Sequence, residues 1–176
     1  MAKSLDTSNS WIFGGEFMVN YVKGNLLDSN CDYICHQVNC QGVMGSGIAR
    51  QIRERWPWVF ISYYEYCSRR KNNNESPLGK IWGVAIDRDN RNSQWVINMF
   101  SQDNFGYDGS RFTSYDAFAE CLTAMRDRLP KDKTIGFPKN IGCGLGGGNW
   151  KIISALIEEI LGDDYEVYIY ELEGEK

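Results

Sequence analysis

The sequence predicts one α/β domain with helices on both faces of a mixed, mostly parallel sheet. Three observations carry this. Short apolar strand patterns alternate with helical ones along the chain. Two of the strands run into glycine-rich turns that open helices, at Gly45-Ser46-Gly47 and at Ile141–Gly148. A third pair of strands is separated only by the charged turn Asp87–Ser93, as in a hairpin, which makes the sheet mixed. The 176 residues suit a single domain with a substantial core. A hydrophobic share of 43% with 24% charged residues is ordinary globular composition and excludes wholesale disorder.

In order along the chain, residues 1–17 are Ser/Asn/Gly-rich and without periodicity. They read as a leader, cloning-derived or native, outside the domain of residues 18–176; Glu16-Phe17 is what an in-frame restriction site encodes. Met18–Val22 reads as a strand broken by Lys23-Gly24-Asn25, and Leu26–Asp28 as a short connection. Tyr33–Val38 is the second strand, with Ile34, His36 and Val38 on one face and Cys35, Gln37 and Asn39 on the other. A helix over Gly47–Trp56 is stopped by Pro57, and another over Val59–Arg70 runs into the polar loop Lys71–Ser76. Lys80–Ile86 and Gln94–Phe100 are the hairpin strands, followed by the glycine- and aspartate-rich loop Ser101–Arg111. Ser114 is positioned to cap a helix reaching Arg128. Thr134–Phe137 is a strand, Asn149 caps a helix ending near Leu161 before Gly162, and Glu166–Leu172 alternates as the last strand.

Composition narrows the function classes. A net charge of −4 argues against broad nucleic-acid binding, which rests on basic side chains neutralising phosphates. The six cysteines form no metal signature: Cys31 and Cys35 have no second pair, and one histidine cannot complete a usual zinc site. Neither metal nor cofactor is expected. Their use as small apolar residues, without a secretory signal pattern, leads to the expectation of a reducing cytoplasm. No apolar run approaches the roughly 20 residues of a membrane span.

A strand, a glycine turn and a helix N-terminus aim backbone N–H groups and the positive end of the helix dipole at whatever lies in the loop. Phosphate suits that place. Gly45-Ser46-Gly47-Ile48-Ala49-Arg50 is one glycine short of the dinucleotide fingerprint, and neither cluster has the GK[ST] ending of a P-loop. Two such units can flank one crevice at the strand ends, which suits a diphosphate.

From Tyr21 to Leu172 the chain resembles the macro domain family, the ADP-ribose-binding module. The matching pieces are Val22-Lys23-Gly24-Asn25-Leu26, His36-Gln37-Val38-Asn39 with Gly45-Ser46-Gly47-Ile48-Ala49, and Pro138 followed by Ile141-Gly142-Cys143-Gly144-Leu145-Gly146. Within the family it is most similar to the small ADP-ribose-1''-phosphate phosphatases. The resemblance implies a three-layer α/β/α fold, a monomer, and ADP-ribose, its 1''-phosphate or ADP-ribosylated macromolecules as partners. It implies that Asn25 stands where an adenine-binding aspartate is common, with Gly24 and Leu26 beside it. Asn39 matches the residue holding the distal ribose. Met44–Ile48 and Gly142–Gly147 match the diphosphate loops, with Ile141, Cys35 and Gln37 placed among the ligand-binding residues. Tyr170 is an adenine neighbour or a half-buried strand tyrosine.

Departures from the family restrict the chemistry. Related glycohydrolases use a lysine on a central strand and an aspartate after Gly-Cys-Gly-Leu; here Val96–Phe100 has no lysine and the aspartate position is Gly146. A C-x5-R phosphatase would need arginine where Asn149 stands, and Asp87-Arg88-Asp89 reads as a solvated turn. Hydrolysis then falls to a water attacking the phosphoryl group, assisted by a general base. His36 is the expected base, because its ordinary pKa suits neutral pH, although alternation points it away from Asn39. Asp103 is the second candidate and Asp108 a third, with Gln102 and Phe105 near the same end. The alternatives are a non-catalytic reader of ADP-ribose and a lysine-independent ADP-ribosyl hydrolase.

Overall fold

The computed structural model describes residues 19–174; the leader read at 1–17 lies outside the described residues. The strands are β1 (Val19–Lys23), β2 (Tyr33–Asn39), β3 (Ile81–Ala85), β4 (Trp95–Gln102), β5 (Thr134–Pro138) and β6 (Glu166–Glu171). The helices are α1 (Gly47–Arg55), α2 (Pro57–Asn72), α3 (Tyr115–Arg128) and α4 (Trp150–Leu161), with a single 3₁₀ turn at Leu26–Asp28. The six strands form one sheet in the order β1-β6-β5-β2-β4-β3. Every neighbouring pair is parallel except β3 with β4, the expected hairpin.

Alternation along the strands divides the core into two layers. Ile34 and Val38 of β2, with Val96 and Phe100 of β4, face α1 and α2, where they meet Ile52, Val59 and Tyr63. Cys35, Ile97, Met99, Ile135, Phe137, Val167 and Ile169 face α3 and α4 and pack on Phe118, Leu122, Ile153 and Ile157. The fold is the expected three-layer arrangement, with Cys35 and Cys121 buried as apolar residues.

Local signals set most boundaries. The Ser114 side chain accepts from the Ala117 amide at the start of α3, and that of Asn149 from the Lys151 amide at α4; each such cap contributes about 1 kcal/mol. The helix predicted from Val59 begins at Pro57 and runs to Asn72, because proline is preorganised for the first helical position. Trp56 between the two helices has φ −132° and ψ 77°, a non-helical conformation that separates α1 from α2.

Candidate functional site

β2 and β5 are neighbours in the sheet, yet the chain leaves them in opposite directions, toward β3 and β4 on one side and toward β6 on the other. Such a switch point leaves a crevice at the carboxyl ends of the strands. A cleft of about 560 Å³ lies there, within the usual range for small-molecule sites. Both glycine loops line it, since one follows β2 and the other follows β5. Gly24, Asn25, Leu26 and Tyr170 line the end nearer β1 and β6; Val43, Gln102, Phe105 and Tyr107 line the end nearer β4.

The first wall is the start of α1. Ser46 occupies its N-cap but makes no side-chain cap bond, unlike Ser114 and Asn149. The Gly45, Ser46, Gly47 and Ile48 amides have no acceptor among the described residues. Gly47 has φ +54°, a conformation that glycine adopts without strain. All four residues line the cleft, so this helix end has donors that an anion can satisfy.

The facing wall is the second glycine loop. Its Gly142 carbonyl accepts from the Gly148 amide at 2.8 Å and its Gly146 carbonyl from the Phe112 and Thr113 amides at 2.9 Å. With these carbonyls bonded inside the protein, the Gly144, Leu145 and Gly146 amides have no acceptor among the described residues. Ile141, Gly142, Gly144, Leu145 and Gly146 line the cleft. Two rows of donors without an acceptor therefore border one cleft, which no carboxylate and no imidazole of the described residues lines. Among the described residues the one ammonium on the wall, that of Lys139, is paired with Glu171 at 2.8 Å.

Asn39 lines the cleft and is buried. Its side-chain oxygen accepts from the Gln41 amide (3.0 Å), the Val43 amide (3.3 Å) and the Tyr63 hydroxyl (2.9 Å), while its nitrogen donates to the Val43 carbonyl (2.7 Å). It is thus the clamp that shapes the loop after β2. Asn25 lines the opposite end, and its side-chain oxygen accepts from the Leu27 amide at 3.0 Å, which caps the 3₁₀ turn. Its amide nitrogen has no acceptor among the described residues. Gln37 is on the wall as expected, but its nitrogen already donates to Gln102 (2.6 Å) and Thr113 (2.8 Å).

The structure corrects several expectations. His36 is fully buried on the face covered by α1 and α2 and is absent from the cleft wall. Its Nε2 lies 2.7 Å from the Asn98 side-chain oxygen. Asn98 donates its own nitrogen to the Trp82 carbonyl, so the hydrogen-bond network assigns the proton to Nε2 and leaves Nδ1 without a partner. Burial pulls the imidazole pKa down to about 4, partly opposed by the Asn98 bond. His36 is a neutral core residue that cannot reach a ligand in the cleft. Asp103 is exposed and does not line the cleft either; its main-chain carbonyl accepts from the Cys40 amide and the Gln41 side chain. Cys35 faces α3 and α4 in the core, and Met44 is buried with Tyr63 and Phe100. Cys143 turns its thiol back to the Ile141 carbonyl, with a pKa raised by burial. Gly147 packs against Ser110 and Arg111. None of these four lines the cleft.

Sequence reasoning missed Val43, Gln51, Tyr107, Lys139 and Asn140 on the walls. Tyr107 is 76% exposed at the mouth, and an aromatic in a glycine-rich loop was a usable signal. Asn140 has φ +62° and continues directly into the glycine loop, which apolar periodicity cannot register.

Comparison with known proteins matches this geometry. The model of the Macro domain family matches residues 35–157. The chain is 28% identical to a DNA ADP-ribosyl glycohydrolase of Thermus aquaticus over 88% of this chain and 41% of that protein. It is 26% identical to an ADP-ribose 1''-phosphate phosphatase of Debaryomyces hansenii, over 86% of this chain and 99% of that one. Among solved structures, the macrodomain of Mycobacterium tuberculosis DarG superposes with a TM-score of 0.68 at 25% identity, covering 89% of this chain and 98% of that one. The chain spans less than half the length of the DNA ADP-ribosyl glycohydrolases it matches. No helix among the described residues is long and apolar enough to cross a membrane.

Proposed function

The chain belongs to the macro domain family, and from that premise we propose that its cleft binds the ADP-ribosyl group and hydrolyses ADP-ribose 1''-phosphate. The observation that carries the reading is the pair of facing amide rows at Gly45–Ile48 and Gly144–Gly146. A diphosphate between them would accept from both sides, with the α1 dipole adding to the attraction. The adenosine would extend toward Asn25 and Tyr170, and the distal ribose toward Asn39, Gln102 and Phe105.

The phosphatase step follows the yeast relative that matches over its whole length. Water attacks the 1''-phosphorus, the bond from phosphorus to the 1''-oxygen breaks, and the proton passes to the departing sugar oxygen. The products are ADP-ribose and phosphate. Amide donors oriented beforehand stabilise the charge that builds on the phosphoryl oxygens. With neither His36 nor Asp103 on the wall, the step proceeds without a side-chain base. That forgoes the roughly 10²–10⁴-fold that such a group supplies, so turnover is slow. Incubation with ADP-ribose 1''-phosphate and a phosphate-release assay tests this, with release above the buffer rate as the expected result and none as the contrary one.

The same lack of a base on the wall favours a second reading, a non-catalytic reader of free ADP-ribose or ADP-ribosylated macromolecules. Saturable ADP-ribose binding with no phosphate release selects it.

A further inference from the structure

Beneath the second glycine loop lies a directional chain of side-chain hydrogen bonds. The Ser101 hydroxyl donates to the Gln37 carbonyl oxygen at 2.6 Å, and the Gln37 nitrogen donates to the Gln102 oxygen at 2.6 Å and the Thr113 hydroxyl at 2.8 Å. The Thr113 hydroxyl in turn donates to the Gly142 carbonyl at 2.8 Å. Ser101 and Thr113 are buried, at 0% and 2% exposure. The Thr113 amide meets the Gly146 carbonyl, and Thr113 bridges Gln102 across the base of the loop that carries Phe105 and Tyr107.

We infer that Thr113 and Gln37 are positioning residues that hold the second glycine loop in its anion-accepting shape and so confer selectivity for a diphosphate. A glycine peptide turns over with little steric resistance. If the peptides after Gly142 or Gly146 rotated, the Cys143 and Gly147 amides would lose the Asn140 and Gly144 carbonyls that hold them, and a carbonyl oxygen would turn toward the anion. The Thr113 hydroxyl and amide bind those two carbonyl oxygens and keep them out of the cleft. The fit is close: a Cβ on Gly142 would lie 2.7 Å from the Gln37 oxygen, and one on Gly146 2.5 Å from the Thr113 hydroxyl. The loop and this polar base are built against each other. Because Thr113 also closes the loop that carries Phe105 and Tyr107, the diphosphate seat and the distal rim share one support.

This inference rests on the reading that the cleft takes a diphosphate, so its test has a ligand arm and a ligand-free arm. Thr113→Val removes the hydroxyl at similar volume, and Thr113→Ser restores it. ADP-ribose and ADP should bind Thr113→Val about tenfold more weakly, the scale of one hydrogen bond. Adenosine, which has no phosphate, should be unchanged, and Thr113→Ser should stay within about twofold of wild type. In the free protein, hydrogen exchange in Thr113→Val should quicken over residues 141–148 and stay the same over 45–50. Undiminished ADP-ribose binding, an equal loss for adenosine, or failure of Thr113→Ser to rescue would overturn the proposal. Unchanged exchange in the glycine loop would do so even if wild type bound no ADP-ribose, an outcome that separately removes the reading of the cleft.

Discussion

Replacing His36 with glutamine separates a buried structural imidazole from a catalytic one. The His36 pKa lies at about 4 in the folded protein, against about 6.5 in an unfolded chain. The unfolded chain therefore takes up the proton first, and stability falls as pH drops below about 6.5, with no further loss from this group once pH is below about 4. At about 1.4 kcal/mol per pH unit the ceiling is roughly 3.4 kcal/mol, and between pH 7 and pH 5 the loss is about 2 kcal/mol. His36→Gln can still donate to Asn98 but cannot take a proton. Urea unfolding at pH 7 and pH 5 should show the wild type losing about 2 kcal/mol more than the variant. The subtraction removes the carboxylates whose pKa values are lowered in the fold, Asp32 and Glu171, because they titrate identically in both proteins. Ligand affinity and any phosphate release should be the same in the two proteins. Equal pH sensitivity would refute the burial argument, and selective loss of turnover in His36→Gln would return His36 to the chemistry.

Asn39→Ala strips the acceptor from the Gln41 and Val43 amides and the donor from the Val43 carbonyl, while the Tyr63 hydroxyl keeps the main-chain carbonyl of residue 39, so chemical unfolding should show a loss of about 3 kcal/mol together with weaker ADP-ribose binding. Gly146→Ala forces a Cβ to 2.5 Å from Thr113 and 2.6 Å from the Gly142 carbonyl; overpacking of this kind costs about 1–3 kcal/mol, and calorimetry should show ADP-ribose affinity reduced more than tenfold. Because no carboxylate or imidazole of the described residues lines the cleft, affinity measured by titration should stay level between pH 6 and pH 8, and a step near pH 6.5 would contradict that.

The sequence was most readable where local chemistry acts alone. The Ser114 and Asn149 caps, the end of the first helix at Pro57 and the hairpin around Asp87–Ser93 all follow from near neighbours, and the structure has them within a few residues. The glycine loops were legible for the same reason, since Gly45–Gly47 and Ile141–Gly148 each sit between a strand pattern and a helix pattern. That both loops share one cleft depends on β5 lying beside β2, a pairing across about a hundred residues that leaves no local trace. His36 shows the reverse case. Alternation set it opposite Asn39, yet a register shift between Val38 and Asn39 lets the Asn39 side chain meet Tyr63 of α2, in the helix layer that also covers His36, whose own partner is Asn98. Gln37 and Asn39 were found as site residues, but their bonds to Thr113 and Tyr63 belong to tertiary structure. The sequence could not show that their polar atoms are spent on shaping the loops.

The central claim is that two rows of backbone amides receive the diphosphate of an ADP-ribosyl group. Titration calorimetry of the wild-type protein with ADP-ribose, with adenosine and ribose 5-phosphate as partial ligands, tests it most directly. The account predicts saturable binding of one ADP-ribose per chain, far tighter than either fragment. Absence of ADP-ribose binding at millimolar concentration, or affinity no better than that of adenosine, would contradict it.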